Sequence, residues 1–252
     1  MHIIYKTTGR AREYSELAVN LYQGCGHACH YCYAPDTLHI DRAKFNLLPR
    51  LRGPNTIELI ELDARDLQAR GDSRPVLLCF TCDPYQPLND EHGLTRLAIE
   101  TLHRYDVPVM ILTKGGRRAE QDFDLLRAGD QFGVSLTLID DAQSQRWEPG
   151  AALPAERIVS LITAHDRGIK TWASLEPIID YGQTVRLIRL TAPVVDHYKV
   201  GKMNHMPGAD LHDWKSIGFG LTQVLDDLHA DYYIKKDLAK YLGMEVVGGG
   251  RG

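Results

Sequence analysis

Three of the five cysteines in this 252-residue chain, Cys25, Cys29 and Cys32, sit close together with the spacing Cys-x3-Cys-x2-Cys. Closely spaced thiolates converge on one metal centre, and soft sulfur ligands suit an iron–sulfur cluster or zinc. A complete site of either kind usually takes four protein ligands, and this loop offers three cysteines. A [4Fe-4S] cluster held by three would leave one iron without a protein thiolate, and an open metal position is where a catalytic centre takes its substrate. The competing arrangement is a structural zinc knuckle completed by His27 or His30. Cys79 and Cys82 lie at a distant second locus and are not expected to be ligands.

The elements that must position this loop can be read from hydrophobic spacing. Leu17-Ala18-Val19-Asn20-Leu21-Tyr22 is a first strand that runs straight into the cysteines. Ile57, Ile60, Ala64 and Leu67 recur at helical spacing, with Gly71 as the stop. Val76-Leu77-Leu78-Cys79-Phe80 is a short apolar run of the kind buried on both faces in parallel sheets. The clearest helix follows, with Leu94, Leu97, Ala98, Thr101, Leu102 and Tyr105 on one face. Further strands are expected at 107–113, 133–139, 169–175, 194–200 and 232–234. Helices are expected at 119–127, from Pro154 to Gly168, at 181–190 and at 214–229, and 143–153 reads as an irregular loop. Repeated strand–helix units argue a parallel sheet with helices outside, open or closed into a barrel.

Composition bounds the rest. Hydrophobic residues make up 44% and charged residues 25%, ordinary values for a globular chain with a substantial core. A net charge of −4 and a pI near 6.2 argue against a protein that coats nucleic acid, though Arg42, Lys44, Arg50 and Arg52 form a locally basic stretch. No run approaches the roughly 20 apolar residues that span a bilayer, and the first residues lack the apolar core of a secretory signal. An odd cysteine count at two loci does not read as a disulfide framework, so a reducing cytoplasm is the expected compartment.

The stretch Cys-x3-Cys-x-aromatic-Cys, with Tyr31 as the aromatic, resembles the signature of the radical SAM superfamily. Within it, Asn20-Leu21-Tyr22-Gln23-Gly24-Cys25 and Cys29-His30-Tyr31-Cys32-Tyr33-Ala34 are similar to the cluster loop of spore photoproduct lyase and its short DNA-repair-photolyase-like relatives. Thr81-Cys82-Asp83-Pro84-Tyr85-Gln86-Pro87 also resembles a stretch of the short relatives, with Cys82 as an extra residue. The likeness continues through Leu112-Thr113-Lys114, Ser174-Leu175-Glu176-Pro177 and Val200-Gly201-Lys202-Met203-Asn204.

The resemblance implies an α/β fold, a partial (β/α)6 TIM-type barrel over residues 17–240, preceded by an extension at 1–16 and followed by a tail at 241–252. It implies a [4Fe-4S] cluster on Cys25, Cys29 and Cys32 and S-adenosylmethionine (SAM) as the second cofactor. The expected SAM contacts are Tyr31, Cys82, Asp83, Lys114, Ser135 and Glu176, gathered where barrel strands end. A reductant protein such as flavodoxin or ferredoxin is the expected partner, and the chain is expected to be monomeric. The implied reaction cleaves SAM and abstracts hydrogen from a thymine-type nucleobase or nucleotide in DNA, in lyase or isomerase chemistry. The alternatives are the same chemistry on a peptide or small metabolite, and a non-enzymatic zinc-knuckle module that binds nucleic acid. One departure stands out. The hydrogen-donating cysteine of the lyases falls at Phe80, which leaves Tyr33, matching their relay tyrosine, and Cys82 as the expected catalytic donors.

Overall fold

Short β-branched and leucine-rich runs set the sheet in the computed structural model, which describes residues 2–244. Ten strands form: β1 (Tyr5–Lys6), β2 (Leu17–Val19), β3 (Tyr22–Gln23), β4 (Arg50–Leu51), β5 (Val76–Leu78), β6 (Val109–Thr113), β7 (Gln131–Ser135), β8 (Lys170–Ile178), β9 (His197–Lys202) and β10 (Tyr232–Ile234). Eight make one sheet in the order β1-β2-β5-β6-β7-β8-β9-β10, while β3 and β4 pair as a separate ribbon. Only β1 is antiparallel to its neighbour; every other ladder of the large sheet is parallel. From β2 to β10 the spatial order follows the chain order. Right-handed crossovers then all step the same way and lay every helix on one face, which separates this sheet from a doubly wound one. It is the partial-barrel arrangement, with β1 and β10 as unpaired edges.

The two faces differ in filling. The outer face carries the main core, where Val19, Leu78, Val109, Ile111 and Val134 are fully buried together with Ile60, Ala98, Leu102 and Leu161 from the helices. The inner face carries a small cluster of Ala18, Leu77, Met110 and Trp172, joined by Tyr5, Tyr14, Phe80 and Leu112. A barrel packed on the outside and sparsely filled within leaves room for ligands at the strand ends.

Helices form at Thr56–Ala69, Leu94–Arg104, Pro154–Asp166, Tyr181–Thr191 and Trp214–Asp227, close to their expected bounds. Three expectations are corrected. Residues 17–22 are not one strand: β2 ends at Val19, and Tyr22 belongs to β3 in the separate ribbon with β4. Residues 119–127 hold no α-helix; a 3-10 turn covers Gly116–Asp122. The segment read as an irregular loop contains the helix Asp141–Trp147, whose first turn is capped by the Asp140 carboxylate accepting from Gln143 N at 2.8 Å. Most of the expected tail, 245–252, lies outside the described residues.

The first residues are built into the fold rather than appended to it. Tyr5 and Lys6 pair with Ala18 and Leu17, and the Asp63 carboxylate accepts from the backbone of Ile3 and Ile4 at 2.6 and 2.7 Å. Residues 10–14 then cross to the opposite edge of the sheet. Glu13 accepts from Tyr233 Oη at 3.0 Å and from Lys236 N at 2.7 Å, and Lys199 Nζ donates to the carbonyls of Glu13 and Tyr14.

Candidate active site

The cysteine loop leaves β3 at Gln23 and is clamped from three sides. Gly24 takes φ +84°, and a side chain there would collide with Phe45 O at 2.5 Å, while Cys25 N donates to that same carbonyl at 3.0 Å. The buried Gln86 side chain accepts from Gly26 N at 2.9 Å and donates to Gly24 O at 3.2 Å. The third clamp is the segment after the helix Asp141–Trp147. His30 N donates to Trp147 O, Gly150 N donates to His27 O, and a Cβ on Gly150 would stand 2.1 Å from Gly26 O.

All ten residues expected at the site line one cavity of about 610 Å³ at the strand ends: the three cysteines, Tyr31, Tyr33, Cys82, Asp83, Lys114, Ser135 and Glu176. Their surroundings divide them. Asp83 is buried and both its oxygens are engaged, Oδ1 by Tyr85 N and Thr113 Oγ1 at 2.8 and 2.6 Å and Oδ2 by Lys114 N at 2.7 Å. Burial would raise its carboxyl, but His27, 3.3 Å away, and these hydrogen bonds hold it well below the usual carboxylate range. Asp83 is therefore an organiser that fixes the loops around Lys114. Lys114 Nζ stands 5.6 Å from the centroid of the Tyr31 ring. Glu176 accepts from Tyr14 Oη at 2.5 Å and pairs with Lys235.

Behind the loop lies a buried polar network that the sequence did not disclose. Glu148 accepts from Tyr31 Oη and, at 2.9 Å, from Thr137 Oγ1, and it pairs with Arg157 at 2.6 Å. Arg157 is 1% exposed and donates to the carbonyls of Ala152 and Ser135. The aromatic of the cysteine motif is thus anchored on a buried ion pair. Charged groups nine positions apart have no periodic signature; the available signal was Pro154 opening a helix with an arginine one turn inside it.

Two further side chains, Cys79 and Tyr14, line the cavity. β5 ends at Leu78, and Cys79 takes φ +65°, which breaks strand alternation, so Cys79, Phe80 and Cys82 all face the cavity. Tyr14 enters from the N-terminal segment and forms with Phe80, Tyr33 and Trp172 an aromatic wall at centroid distances of 5.8–6.2 Å. Tyr33 Oη donates to Phe80 O at 3.0 Å.

The donor set fits an iron–sulfur cluster better than zinc. Burial pushes the Cys29 thiol up to about 12 and raises Cys25 and Cys32 as well, so these sulfurs become ligands only beside a bound metal centre, whichever metal it is. A zinc knuckle needs a histidine as fourth ligand, but His27 is turned to Asp83 and His30 is exposed.

A partial parallel barrel with a three-cysteine loop at its mouth defines a class of cluster-bearing enzymes that take SAM at the same mouth. The radical SAM superfamily matches residues 19–189, well over half of the sequence, and the chain belongs to that superfamily. Its cofactors are accordingly a [4Fe-4S] cluster and SAM. An uncharacterised protein of Methanocaldococcus jannaschii is 26% identical over 188 residues, 73% of this chain and 69% of its own length. One from Mycobacterium tuberculosis is 26% identical over 170 residues, 64% of this chain but only 49% of the relative. Among solved structures, spore photoproduct lyase with bound AdoMet and dinucleoside spore photoproduct superposes with a TM-score of 0.71 at 16% identity, over 91% of this chain and 78% of that one. Streptococcus suis SuiB bound to S-adenosylmethionine gives 0.65 at 13%, over 93% and 51%. Likenesses this distant establish the fold. No helix among the described residues is long and apolar enough to cross a membrane.

Proposed function

We propose that this radical SAM enzyme acts on a thymine-type nucleobase or nucleotide, in DNA, by lyase or isomerase chemistry. The observation that carries the reading is the wall beyond the cysteines, where Tyr14, Tyr33 and Phe80 meet edge-to-face and tilted beside Glu176, which accepts from Tyr14 Oη. Aromatic faces hold planar bases at about 1–3 kcal/mol each, and a few placed polar groups set their orientation. Spore photoproduct lyase, a structural neighbour, was solved with bound AdoMet and dinucleoside spore photoproduct. The peptide reading rests on SuiB, solved with its precursor peptide SuiA.

In this reading Cys25, Cys29 and Cys32 hold the cluster, which when bound supplies the electron that cleaves SAM to methionine and a 5′-deoxyadenosyl radical. Tyr31, Lys114, Ser135 and Glu176 hold the SAM molecule, and Cys82 supports it from the end of β5. The decisive assay is anaerobic: reconstituted protein, dithionite and SAM, with 5′-deoxyadenosine measured against thymine-containing DNA, irradiated DNA and peptides. Formation stimulated by DNA alone is expected; stimulation only by peptide would move the protein to the other substrate class.

Lys114→Ala should remove one charge-assisted hydrogen bond, worth about 1.5–3 kcal/mol, and so weaken SAM binding roughly 10- to 100-fold. Iron and sulfide content should stay at the wild-type level. Equal SAM affinity in the variant would take Lys114 out of the cofactor site.

Deuterated SAM reports how the substrate radical ends. Tyr33 and Cys82 carry the O–H and S–H expected to deliver a hydrogen atom, with Cys79 and Tyr14 also on the wall. Product formation should fall in Tyr33→Phe or Cys82→Ala while SAM cleavage continues. Deuterium in the product with both variants fully active would mean that SAM itself returns the atom, as in an isomerase.

A further inference from the structure

Residues 38–52 present a surface for which the cavity has no use, since no residue between Thr37 and Leu77 lines it. Leu47 and Leu48, at the end of the helix Arg42–Leu47, are 76% and 67% exposed. Two adjacent exposed leucines beside cationic side chains form the amphipathic character that a protein partner can use, an apolar centre within a charged rim. Lys44, Arg50 and Arg52 stand exposed nearby, and Arg42 pairs with Asp36 at 3.2 Å. Over 36–52 four cations, Arg42, Lys44, Arg50 and Arg52, stand against two carboxylates, Asp36 and Asp41, a local charge of +2 on a chain of net −4.

This surface is fastened to the back of the cysteine loop at both ends. Arg42 Nη2 donates to Cys32 O at 2.9 Å, and Phe45 O accepts from Cys25 N at 3.0 Å. Arg50 donates twice to Gln23 Oε1, at 2.8 and 3.0 Å, on the strand that leads into the loop. The cavity lies on the side of the loop lined by Cys25, Cys29 and Cys32, and residues 38–52 touch the same loop without lining that cavity.

We infer that the Leu47–Leu48 pair and its basic rim dock an acidic one-electron carrier protein. The inference rests on the cluster reading above and names the partner that serves it. In each event the carrier's reduced centre loses one electron and the oxidised cluster gains it. For a flavin carrier the anionic hydroquinone becomes the neutral semiquinone, and no proton moves. A nucleic acid would also be drawn to these cations, but a strand bound here would not present a base to the cavity.

The test uses reconstituted protein without SAM or DNA, so its outcome does not depend on the substrate reading. Cluster reduction is followed by loss of visible absorbance, with reduced flavodoxin or with dithionite, at low and high salt. Lys44→Glu/Arg52→Glu changes two side chains that pair with nothing else among the described residues, and Leu47→Asp changes the apolar centre. Each should slow reduction by flavodoxin roughly tenfold or more at low salt, the charge effect shrinking as salt rises. Reduction by dithionite should stay within about twofold of wild type, and flavodoxin affinity measured by calorimetry should fall with the rate. Unchanged flavodoxin rates in both variants would overturn the assignment. So would a double variant that loses affinity for duplex DNA while keeping its flavodoxin rate, which would make this a nucleic-acid surface.

Discussion

Alanine at Cys25, Cys29 or Cys32 is expected to yield a colourless protein that cleaves no SAM, whereas alanine at Cys79 or Cys82 should leave the brown chromophore in place. The expectation follows from where the thiols stand. The first three occupy one loop clamped by Phe45, Gln86 and Gly150, and the other two follow the end of β5. Cys82 Sγ already donates to Tyr22 O at 3.4 Å. Iron, sulfide and absorbance measured after anaerobic reconstitution decide the matter. Loss of the cluster in Cys79→Ala or Cys82→Ala would show that a fourth cysteine is a ligand and remove the open iron on which SAM binding depends.

Arg157→Met should lower stability by about 3–5 kcal/mol, the usual cost of leaving one member of a buried ion pair without its partner. Glu148 would remain, 1% exposed, with Tyr31 and Thr137 donating to it and no guanidinium beside it. The pH dependence gives the mechanism a signature. In the wild type, burial raises the Glu148 carboxyl, but Arg157 and Lys114 outweigh it and leave the group below its ordinary value of 4.5. Its contribution to stability is then complete above that value and is lost as pH falls through the depressed one. In the variant the burial effect prevails and the carboxyl rises, so stability is greatest at acid pH and falls as pH climbs through the raised value. Urea unfolding across that range should therefore show the two proteins converging on acidification. A pH-independent difference would mean that Arg157 acts through packing alone. Because Tyr31 hangs on Glu148, the variant should also assemble its cluster more slowly.

What the sequence disclosed was whatever obeys a local rule. The cysteine spacing is local, and so is the 3.6-residue recurrence that predicted Thr56–Ala69 and Leu94–Arg104, whose apolar positions Ile60, Ala64, Ala98 and Leu102 are fully buried. The helix Asp141–Trp147 follows no such rule: Asp-Ala-Gln-Ser-Gln-Arg-Trp has no apolar stripe, and its Asp140 cap was the only cue. Residues 119–127 had helical composition, yet two glycines at 115 and 116, the second at φ +57°, fit a tighter turn. The site was legible as a set of strand ends, which a parallel barrel must bring together. Its supports were not, because the bonds Glu148–Arg157, Asp83–His27 and Glu176–Tyr14 join groups from different elements. His27 illustrates the limit: its place between cysteines offered it as a zinc ligand, and only the fold reveals Asp83 beside it.

The crossing made by residues 10–14 bears on how this protein must fold. Glu13 and Tyr233, whose side chains meet, are 220 residues apart in sequence. The parallel ladders between β2 and β10 can zip from neighbour to neighbour, each closing a loop of modest length, but the Glu13 bond closes a loop of nearly the whole chain. Loop entropy grows only as the logarithm of length, so the cost is bearable, yet contacts of such separation form late. The closure of the N-terminal segment over the cavity should therefore be among the last steps of folding. A folding intermediate with a complete sheet and an unlatched N-terminal segment would have its cysteine loop in place before Tyr14 and Glu176 meet, and metal loading could precede the sealing of the substrate wall.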